Sequence, residues 1–329
     1  MLSELRRSID SIDEELIKLI GERIRLATEI GRVKRGLGLP IVDRDREKEV
    51  ITRWVEGLGR FGVDLETAIE IAQTIVRLST SAQLVSNLGI GVTIVGSGRV
   101  GRTMARILGR VANVTLQRHS DELMPNDIIM LATKPTPESL GIIARYSDRL
   151  RGSVVVDLFS VKTPMFRLIE GESLRVGFHY VSAHPLFGEL GNPIGETVVL
   201  IPSRTSGDRL STVRDLFVGA GLNVVVLGSP EEHDKLMAYI QVAHHVLLLT
   251  LYRALRKVGL DLDTPLATHS LRHTLKALVR VLEQPEVSIE LFRFNPYSRS
   301  VVEELGELLK EVVKSLGEGG GVEVIGDDN

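Results

Sequence analysis

Val92-Thr-Ile-Val95 runs directly into Gly96-Ser-Gly98-Arg-Val-Gly101, and this stretch decides how the 329-residue chain is organised. A short run of apolar and β-branched residues followed by closely spaced glycines indicates a strand, a tight turn and then a helix. A turn of this kind holds the pyrophosphate of a dinucleotide at the N-terminus of the helix that follows. Because the turn begins only near residue 96, we expect a separate domain with a function of its own in front of it.

The composition narrows the class of protein. The formal net charge of −3 argues against nucleic acid as a partner, and the lack of cysteine excludes a disulfide framework and a thiolate metal site. The charged N-terminus lacks the apolar core of a signal peptide, and the most apolar run, Val246 to Tyr252, is too short to cross a bilayer. We therefore expect a soluble, cytoplasmic protein that binds neither membranes nor nucleic acid and holds no metal.

Residues 3–35 predict a single long amphipathic helix, because apolar residues recur at spacings of three and four without an interrupting proline. Gly36, Gly38 and Pro40 supply its end. At 1.5 Å per residue such a helix is about 45–50 Å long, more than a small domain can cover. We therefore expect a second copy of the chain along it, in a homodimer. The apolar stripe consists of Leu5, Ile9, Ile12, Leu16, Leu19, Leu26, Ile30 and Val33.

Two cations interrupt this stripe. Arg23 stands where Leu or Ile is expected, and Lys34 lies three turns later on nearly the same face, about 16 Å away along the axis. An isolated cation in a stripe usually extends to water, but a buried cluster of cations without a ligand is costly. A bound dianion therefore explains the set better.

Two further helices add polar groups to the same candidate site. Asp43 is well placed to cap the second helix, and a third helix begins near Asp64 with polar residues among the apolar ones on one face. The polar residues that the three helices contribute are Arg23, Lys34, Asp43, Arg46, Glu47, Ser79 and Gln83.

In residue types and spacing, residues 2–85 resemble the all-helical chorismate mutase family. The resemblance is carried by Leu5-Arg6, Ile9-Asp10, Ile12-Asp13, Leu19-Ile20, Glu22-Arg23, Lys34, Asp43, Arg46-Glu47, Ser79 and Gln83. It implies that chorismate rearranges to prephenate in one intramolecular step, which needs no nucleophile, acid or base. What helps is a compact bound conformer and donors aimed at the oxygen that gains negative charge.

The resemblance also implies the role of each residue. Lys34 and Gln83 would donate to the ether oxygen, and Glu47 would accept the ring hydroxyl. The substrate carboxylates would be held by Arg23, Arg46 and Arg6 of the partner subunit, while Asp43 and Ser79 support the site. One alternative makes these helices a dimerisation module without activity, although such a module has no need of this polar set.

From Gly91 onward, apolar β-rich runs alternate with helical ones, which predicts an open parallel sheet with helices on both faces. Gly96, Gly98 and Gly101 let the backbone after the first strand turn tightly, approach a pyrophosphate and pack on the sheet. The predicted strands are Val92–Val95, Asn113–Leu116, Ile128–Ala132, Val154–Leu158, Val198–Ile201 and Val224–Leu227, and the predicted cofactor-binding residues are Gly96, Ser97, Gly98, Arg99, Val100 and Gly101.

The second strand ends without the acidic residue that binds the ribose of NAD about 20 positions after the turn. Gln117-Arg118-His119 stands there instead, and Arg118 could accept the 2′-phosphate of NADP. We expect either NADP or NAD as the cofactor, with NADP favoured. The alternative is a surface arginine that does not contact a cofactor.

Residues from about 91 to 300 resemble prephenate dehydrogenase. The resemblance is carried by Asp157-Leu-Phe-Ser160-Val-Lys162, Ser182-Ala-His184-Pro-Leu-Phe-Gly188, Glu232-His-Asp-Lys235, Gln241 and His245. It implies hydride transfer from prephenate to a nicotinamide, with loss of CO2 and formation of 4-hydroxyphenylpyruvate, a step of tyrosine biosynthesis. A dehydrogenase of arogenate with the same sheet is the alternative.

In this resemblance His184 accepts a hydrogen bond from the ring hydroxyl and takes its proton, since a histidine titrates near working pH. Ser160 orients that pair. His245 and Arg272 bind carboxylates. Arg280 is the second candidate for the role of Arg272, because this segment of the chain aligns less well with the family. His233 is interpreted as a helix cap and is not assigned a catalytic role.

The predicted architecture is an α/β protein with an all-α N-terminal domain. A three-helix mutase-like domain over residues 1–88 precedes a Rossmann-like domain over 89–229 and a helical dimerisation and substrate domain over 230–317, with a flexible tail at 318–329. The helix from Glu231 to Val258 is apolar on most sides, so we expect it to be buried in the dimer. The sequence alone leaves feedback by tyrosine and transfer of prephenate between the sites open.

Overall fold

The structure, a computed structural model, describes residues 2–37, 39, 41, 43–83, 88–188 and 193–317. The chain divides into two compact units, which are described separately. The first comprises Met1–Phe159 and Glu170–Val226, and the second comprises Ser160–Ile169 and the chain from Leu227 onward. The predicted tail, 318–329, lies outside the described residues. In the described part of the chain, no helix has both the length and the apolar character needed to cross a membrane.

Three helices open the first unit: α1 (Leu2–Gly36), α2 (Arg44–Gly59) and α3 (Leu65–Gln83). The single long first helix is confirmed, and so is the cap of the second. Asp43 accepts a hydrogen bond from the backbone N–H of Arg46 at 3.0 Å. Asp64 caps α3 in the same way, through the N–H of Thr67 at 3.0 Å.

The stripe of α1 is open to solvent in the single chain. Ala27 and Gly31 are the buried positions within the described side chains of this helix, whereas the large apolar residues of the stripe are each at least half exposed. On α3, by contrast, Ala68, Ala72 and Ile75 are buried. Most of the apolar surface of α1 therefore lacks a partner among the residues that the structure describes.

A seven-stranded sheet forms the rest of the first unit, in the order β2-β1-β3-β4-β5-β6-β7. The strands are β1 (Gly91–Val95), β2 (Asn113–Gln117), β3 (Ile128–Leu131), β4 (Val154–Asp157), β5 (His179–Pro185), β6 (Thr197–Pro202) and β7 (Asn223–Val226). The accompanying helices are α4 (Arg99–Leu108), α5 (Pro137–Arg145), α6 (Ser147–Leu150) and α8 (Arg209–Gly219). A further helix, α7 (Thr163–Val176), is divided between the units, with residues 163–169 in the second and 170–176 in the first.

The sheet departs from the predicted parallel arrangement at one point. The first five strands are parallel, but β6 runs antiparallel to β5, and β7 follows the direction of β6. A parallel crossover needs a dozen or more residues, usually with a helix. The link between β5 and β6, residues 186–196, is too short for such a helix, so the chain returns antiparallel.

The second unit is helical: α9 (Pro230–Met237), a π-helical segment (Ala238–Ala243), α10 (His244–Lys257), α11 (His269–Leu282), α12 (Pro285–Phe294) and α13 (Ser298–Gly317). The predicted near-continuous helix from residue 231 to 258 is present, with the π segment in its middle. Its burial is incomplete in the single chain, because Ile240 is 57% and Leu247 is 47% exposed.

Candidate active sites

A cleft of about 400 Å³ opens between the first three helices, and the predicted polar residues of this domain line it. Apolar side chains such as Leu26, Ile30 and Val76 form much of the wall, so polar groups are concentrated at a few points. The predicted residues that the structure brings together here are Arg23, Lys34, Asp43, Arg46, Glu47, Ser79 and Gln83.

Arg23 is held in the cleft from the side of α3. Its guanidinium donates hydrogen bonds to the hydroxyl of Ser79 and, at 3.4 Å, to the carbonyl of Ile75. Burial lowers the pKa of Arg23, and the positive charge of Arg46 lowers it further. Two cations that disfavour each other in a partly dry cleft form a site that an anion would neutralise.

Lys34 and Gln83 line the cleft near a close approach of α1 and α3. The Lys34 ammonium donates to the carbonyl of Ile41 at 2.8 Å, and the Gln83 amide donates to the carbonyl of Ser79 at 3.4 Å. Close approach here depends on Gly31, because a Cβ on this residue would overlap the backbone of Gln83. The glycine thus allows the backbone of α3 to lie close to α1 at Gln83.

The N-terminal turn of α2 contributes groups of both signs. The Arg46 guanidinium pairs with the Glu49 carboxylate at 2.7 Å, and both side chains are more than half exposed. An exposed i,i+3 pair contributes little to stability, so it does not prevent Arg46 from binding an anion. Glu47 accepts a hydrogen bond from the hydroxyl of Thr80 at 3.1 Å.

Arg6 is the predicted mutase residue that the single chain does not bring to the cleft. It lies on exposed α1, 17 residues before Arg23, which is about 25 Å along the axis. It is not among the residues that line the cleft in the described part of the chain.

In the sheet, the glycine-rich turn has the geometry that the motif predicts. Gly96 has φ = +120°, and a Cβ on it would overlap the carbonyl of Ala132 on the loop after β3. A Cβ on Gly101 would overlap the carbonyl of Gly96. Gly98, by contrast, faces open space at the N-terminus of α4. The first and third glycines allow close packing, and the second leaves room for a pyrophosphate.

Two arginines flank this turn. Arg102 donates from its guanidinium to the carbonyl of Ser97 at 2.7 Å, which fixes the turn against α4. Gly96 donates its N–H to the carbonyl of Gln117 at 2.8 Å, so Arg118 follows directly beside the turn. Ser97, Arg99 and Val100, also predicted to bind the cofactor, lie exposed at the same sheet edge.

Gln117 ends the second strand in place of an acid, and its side chain forms hydrogen bonds within the loop that follows. Its amide N–H donates to the carbonyl of Glu122 at 2.7 Å, and its amide oxygen accepts the N–H of Met124 at 3.0 Å. Asp121 accepts the N–H of Arg118 at 2.8 Å. The side chain of Gln117 thus holds the loop after β2 together, and the exposed Arg118 is presented on that loop.

His184 lies near the carboxyl end of β5, where parallel strands of such sheets present ligands. It is almost fully buried, at 4% exposed. On the neighbouring strand, Asp157 accepts the phenol of Tyr180 at 2.7 Å and the N–H of Phe159 at 3.1 Å. Burial raises the pKa of Tyr180 well above its ordinary value, and the charge of Asp157 raises it further, so the phenol stays a donor.

In the second unit, Asp234 fixes the segment that carries Ser160. Its carboxylate accepts the backbone N–H of Lys162 at 2.9 Å and of Thr163 at 2.7 Å, at the start of α7. The interpretation of His233 as a helix cap is wrong, because Ser229 caps this helix and the fully buried His233 contacts the Asp234 carboxylate through Nδ1 at 2.8 Å. Burial alone would raise the pKa of Asp234, but these hydrogen bonds outweigh it and the pKa is lowered. Ser160 itself is half-buried two residues before Lys162.

His245 is oriented by a residue that the sequence did not indicate. Its Nδ1 lies 2.7 Å from the hydroxyl of Ser288 on α12. Burial, and then the charge of His244, lowers the pKa of His245, so the neutral imidazole is favoured. Arg272 is exposed on α11 and donates to the carbonyl of Ala267 at 2.9 Å, and Arg280 lies exposed near the end of that helix.

Thr80, Gly31 and Ser288 were missed as site residues. Thr80 neighbours the predicted Ser79 and continues the polar interruption of α3, so a signal for it was present. Gly31 follows Ile30 in the stripe of α1, and a small residue there indicates close helix packing. Ser288 gave no signal, because its partner His245 is 43 residues away.

Comparisons with known proteins bear on both parts of the chain. The "T-protein" of Enterobacter agglomerans is 25% identical to it, over 97% of this chain and 88% of that protein. A crystal structure of prephenate dehydrogenase from A. aeolicus, in complex with hydroxyphenyl propionate and NAD+, covers 71% of this chain and 93% of its own, with 18% identity and a TM-score of 0.55. That likeness shows a shared fold, and the predicted dehydrogenase fold is confirmed.

The N-terminal helices have relatives of their own. The chorismate mutase of Methanocaldococcus jannaschii is 37% identical over 82 residues, which are 25% of this chain and 83% of that protein. The family described as chorismate mutase type II matches residues 5–84. The predicted resemblance is thereby confirmed, and the chain belongs, through these helices, to the type II chorismate mutase family.

Proposed function

We propose that this chain is a bifunctional enzyme of tyrosine biosynthesis, which rearranges chorismate to prephenate and then oxidatively decarboxylates prephenate to 4-hydroxyphenylpyruvate with NADP or NAD. The observation that carries the proposal is the convergence of seven predicted mutase residues on one cleft in a chain that also has a dehydrogenase fold. The alignment with a T-protein along nearly the whole chain supports the same combination.

In the mutase cleft, the chain's task is to hold chorismate in a compact conformer. Arg23 and Arg46 bind the two carboxylates, which also relieves the unfavourable proximity of their own charges. Lys34 and Gln83 donate to the ether oxygen while its bond to carbon breaks and a carbon–carbon bond forms. Glu47 accepts the ring hydroxyl, and Asp43 and Ser79 hold the neighbouring groups.

A homodimer completes this site in the proposal. The open stripe of α1 exposes large apolar side chains over a helix of 35 residues. A second copy packed along it would cover that surface and bring Arg6 of the partner subunit to the cleft. The apolar residues left exposed on the π segment and α10 support a further contact between copies.

In the dehydrogenase part, a bound nicotinamide dinucleotide supplies the hydride acceptor. His184 accepts the hydrogen bond of the ring hydroxyl and takes its proton as the ring carbonyl forms and CO2 leaves. Ser160 orients this pair, on a segment that Asp234 fixes. His245 and Arg272 bind carboxylates, and Ser288 sets which nitrogen of His245 faces the ligand.

For the cofactor we propose NADP over NAD, bound at Gly96, Ser97, Gly98, Arg99, Val100, Gly101 and Arg118. The open space at Gly98 fits a pyrophosphate. An acid for the ribose is replaced by Gln117, which is committed to its own loop, and the exposed Arg118 beside it suits a 2′-phosphate. NAD use remains part of the proposal.

The proposed domain boundaries are those given by the sequence: a mutase domain over 1–88, a dinucleotide-binding domain over 89–229, a helical domain over 230–317 and a tail over 318–329. The cytoplasmic location stays a prediction of the sequence.

A coupled assay tests the proposal. Purified protein is given chorismate with NADP+ or with NAD+, and the reduced nicotinamide is followed by its absorbance. Formation from chorismate alone requires both activities, and the faster cofactor decides the NADP preference. If reduced nicotinamide forms only when prephenate is supplied, the mutase assignment is wrong. If it forms only when arogenate is supplied, the substrate of the dehydrogenase is arogenate and not prephenate.

A further inference from the structure

Thr80 makes a contact that its position on a helix does not require. A threonine in a helix often bonds back to the carbonyl four residues earlier, and its neighbour Ser79 does so, to Ile75 at 3.1 Å. Thr80 instead donates its hydroxyl across to α2, to Oε1 of Glu47 at 3.1 Å. Its side chain is buried, at 5% exposed, and lines the mutase cleft.

We propose that Thr80 is a positioning residue of the mutase, which fixes the Glu47 carboxylate so that its other oxygen, Oε2, receives the ring hydroxyl of chorismate. This inference rests on the proposed mutase function and on the proposed role of Glu47. Thr80 acts through Glu47 and does not itself contact the reacting atoms.

The charges of the cleft show why Glu47 needs such a donor. Arg23, Lys34 and Arg46 line the same cleft, and any of them would attract a carboxylate that moves freely. Within the described part of the chain, Glu47 forms no ion pair. The neutral hydroxyl of Thr80 satisfies one oxygen without using a cation, which leaves the cations to the two substrate carboxylates.

The packing of α3 makes this contact a fixed one. Thr80 is flanked by the buried Ser79, and its β-branched side chain has few rotamers in a helix. A hydrogen bond from a buried hydroxyl to a charged acceptor is stronger than one between neutral groups. Glu47 is therefore held before the substrate arrives, and less conformational entropy is lost on binding.

Four variants of the full-length protein test the inference: Thr80→Val, Thr80→Ser, Glu47→Ala and the double variant Thr80→Val with Glu47→Ala. Valine keeps the shape and removes the hydroxyl, whereas serine keeps the hydroxyl. We expect Thr80→Val to lower kcat/KM for chorismate about ten-fold, mainly through KM, because the ring hydroxyl is bound in the ground state as well as the transition state. Thr80→Ser should stay within about two- to three-fold of the wild type.

The double variant separates positioning from packing. If Thr80 acts through Glu47, Thr80→Val should change kcat/KM by less than about two-fold once Glu47 is alanine. An equal ten-fold loss in both backgrounds, or a serine variant as impaired as the valine one, would overturn the inference. So would wild-type kinetics for Thr80→Val. Wild-type protein without mutase activity would instead reject the proposed function, so the two failures are distinguishable.

Discussion

The guanidinium of Arg23 on α1 donates a hydrogen bond to the hydroxyl of Ser79 on α3, and this contact joins the two helices at the mutase cleft. The bond orients a cation whose pKa is lowered by burial and by nearby Arg46. A cleft that holds Arg23 in a fixed orientation, with the charge of Arg46 nearby, is preorganised for a dianion. The predictions for the mutase follow from that arrangement.

Lys34 should matter for rate far more than for folding. We expect Lys34→Ala to cost about 3–4 kcal/mol of transition-state stabilisation, the amount typical of a lost oxyanion donor. The measurement is kcat/KM for chorismate. Lys18→Ala, which removes an exposed lysine from the same helix, is the matched control and should retain full activity. An unchanged mutase rate for Lys34→Ala would refute the assignment of Lys34.

Gly31 and Gly21 offer a matched pair on α1. A Cβ at Gly31 would overlap the backbone of Gln83, whereas a Cβ at Gly21 meets no atom of the described residues within 4 Å. We expect Gly31→Ala to push α3 away, with a destabilisation of about 1–3 kcal/mol and loss of mutase activity. Gly21→Ala should stabilise the helix by about 0.5–1 kcal/mol. Urea unfolding and the mutase rate check both, and equal behaviour of the two variants would contradict the packing argument.

Features that depend on neighbouring residues could be predicted from the sequence, whereas features that depend on tertiary packing could not. The glycine-rich turn and the Asp43 cap depend on a few neighbouring residues, and both are present as predicted. The direction of β6 depends on the length of a connection, which strand patterns do not reveal. The partner of Thr80 depends on how α2 and α3 meet, 33 residues apart in sequence. No local pattern carries such information, since it arises from tertiary packing.

Arg118 should discriminate between the two cofactors. We expect Arg118→Ala to raise KM for NADP+ about ten- to hundred-fold, the effect of one lost charged hydrogen bond to a phosphate. KM for NAD+ should change little, because NAD lacks the 2′-phosphate. Steady-state kinetics with each cofactor measure this, and Arg214→Ala, on the exposed face of α8, is the control. An equal rise in KM for both cofactors would mean that Arg118 does not contact the 2′-phosphate. A large preference of the wild type for NAD+ would refute the NADP proposal.

Asp234 should make the stability of the second unit depend on pH. Its pKa in the folded state is lowered, so its carboxylate contributes stability above the unfolded value of about 3.9 and loses it as pH falls through the folded value. We expect Asp234→Asn to cost about 1–3 kcal/mol at neutral pH. The difference from the wild type, measured by urea unfolding across a pH series, should shrink below about pH 4. A difference that stays constant with pH would mean that the charge of Asp234 is not what stabilises the start of α7.

His184 should separate the two activities of the chain. It is buried near the carboxyl end of β5, where the loss of a general base costs about 10²–10⁴ in rate. We expect His184→Asn to reduce dehydrogenase turnover by that amount and to leave chorismate mutase activity unchanged, because the mutase cleft is formed by α1, α2 and α3. Both rates are measured on the same preparation, with His119→Asn, which alters an exposed histidine of the same sheet edge, as the control. Loss of both activities would indicate misfolding, and full dehydrogenase activity would remove His184 from the mechanism.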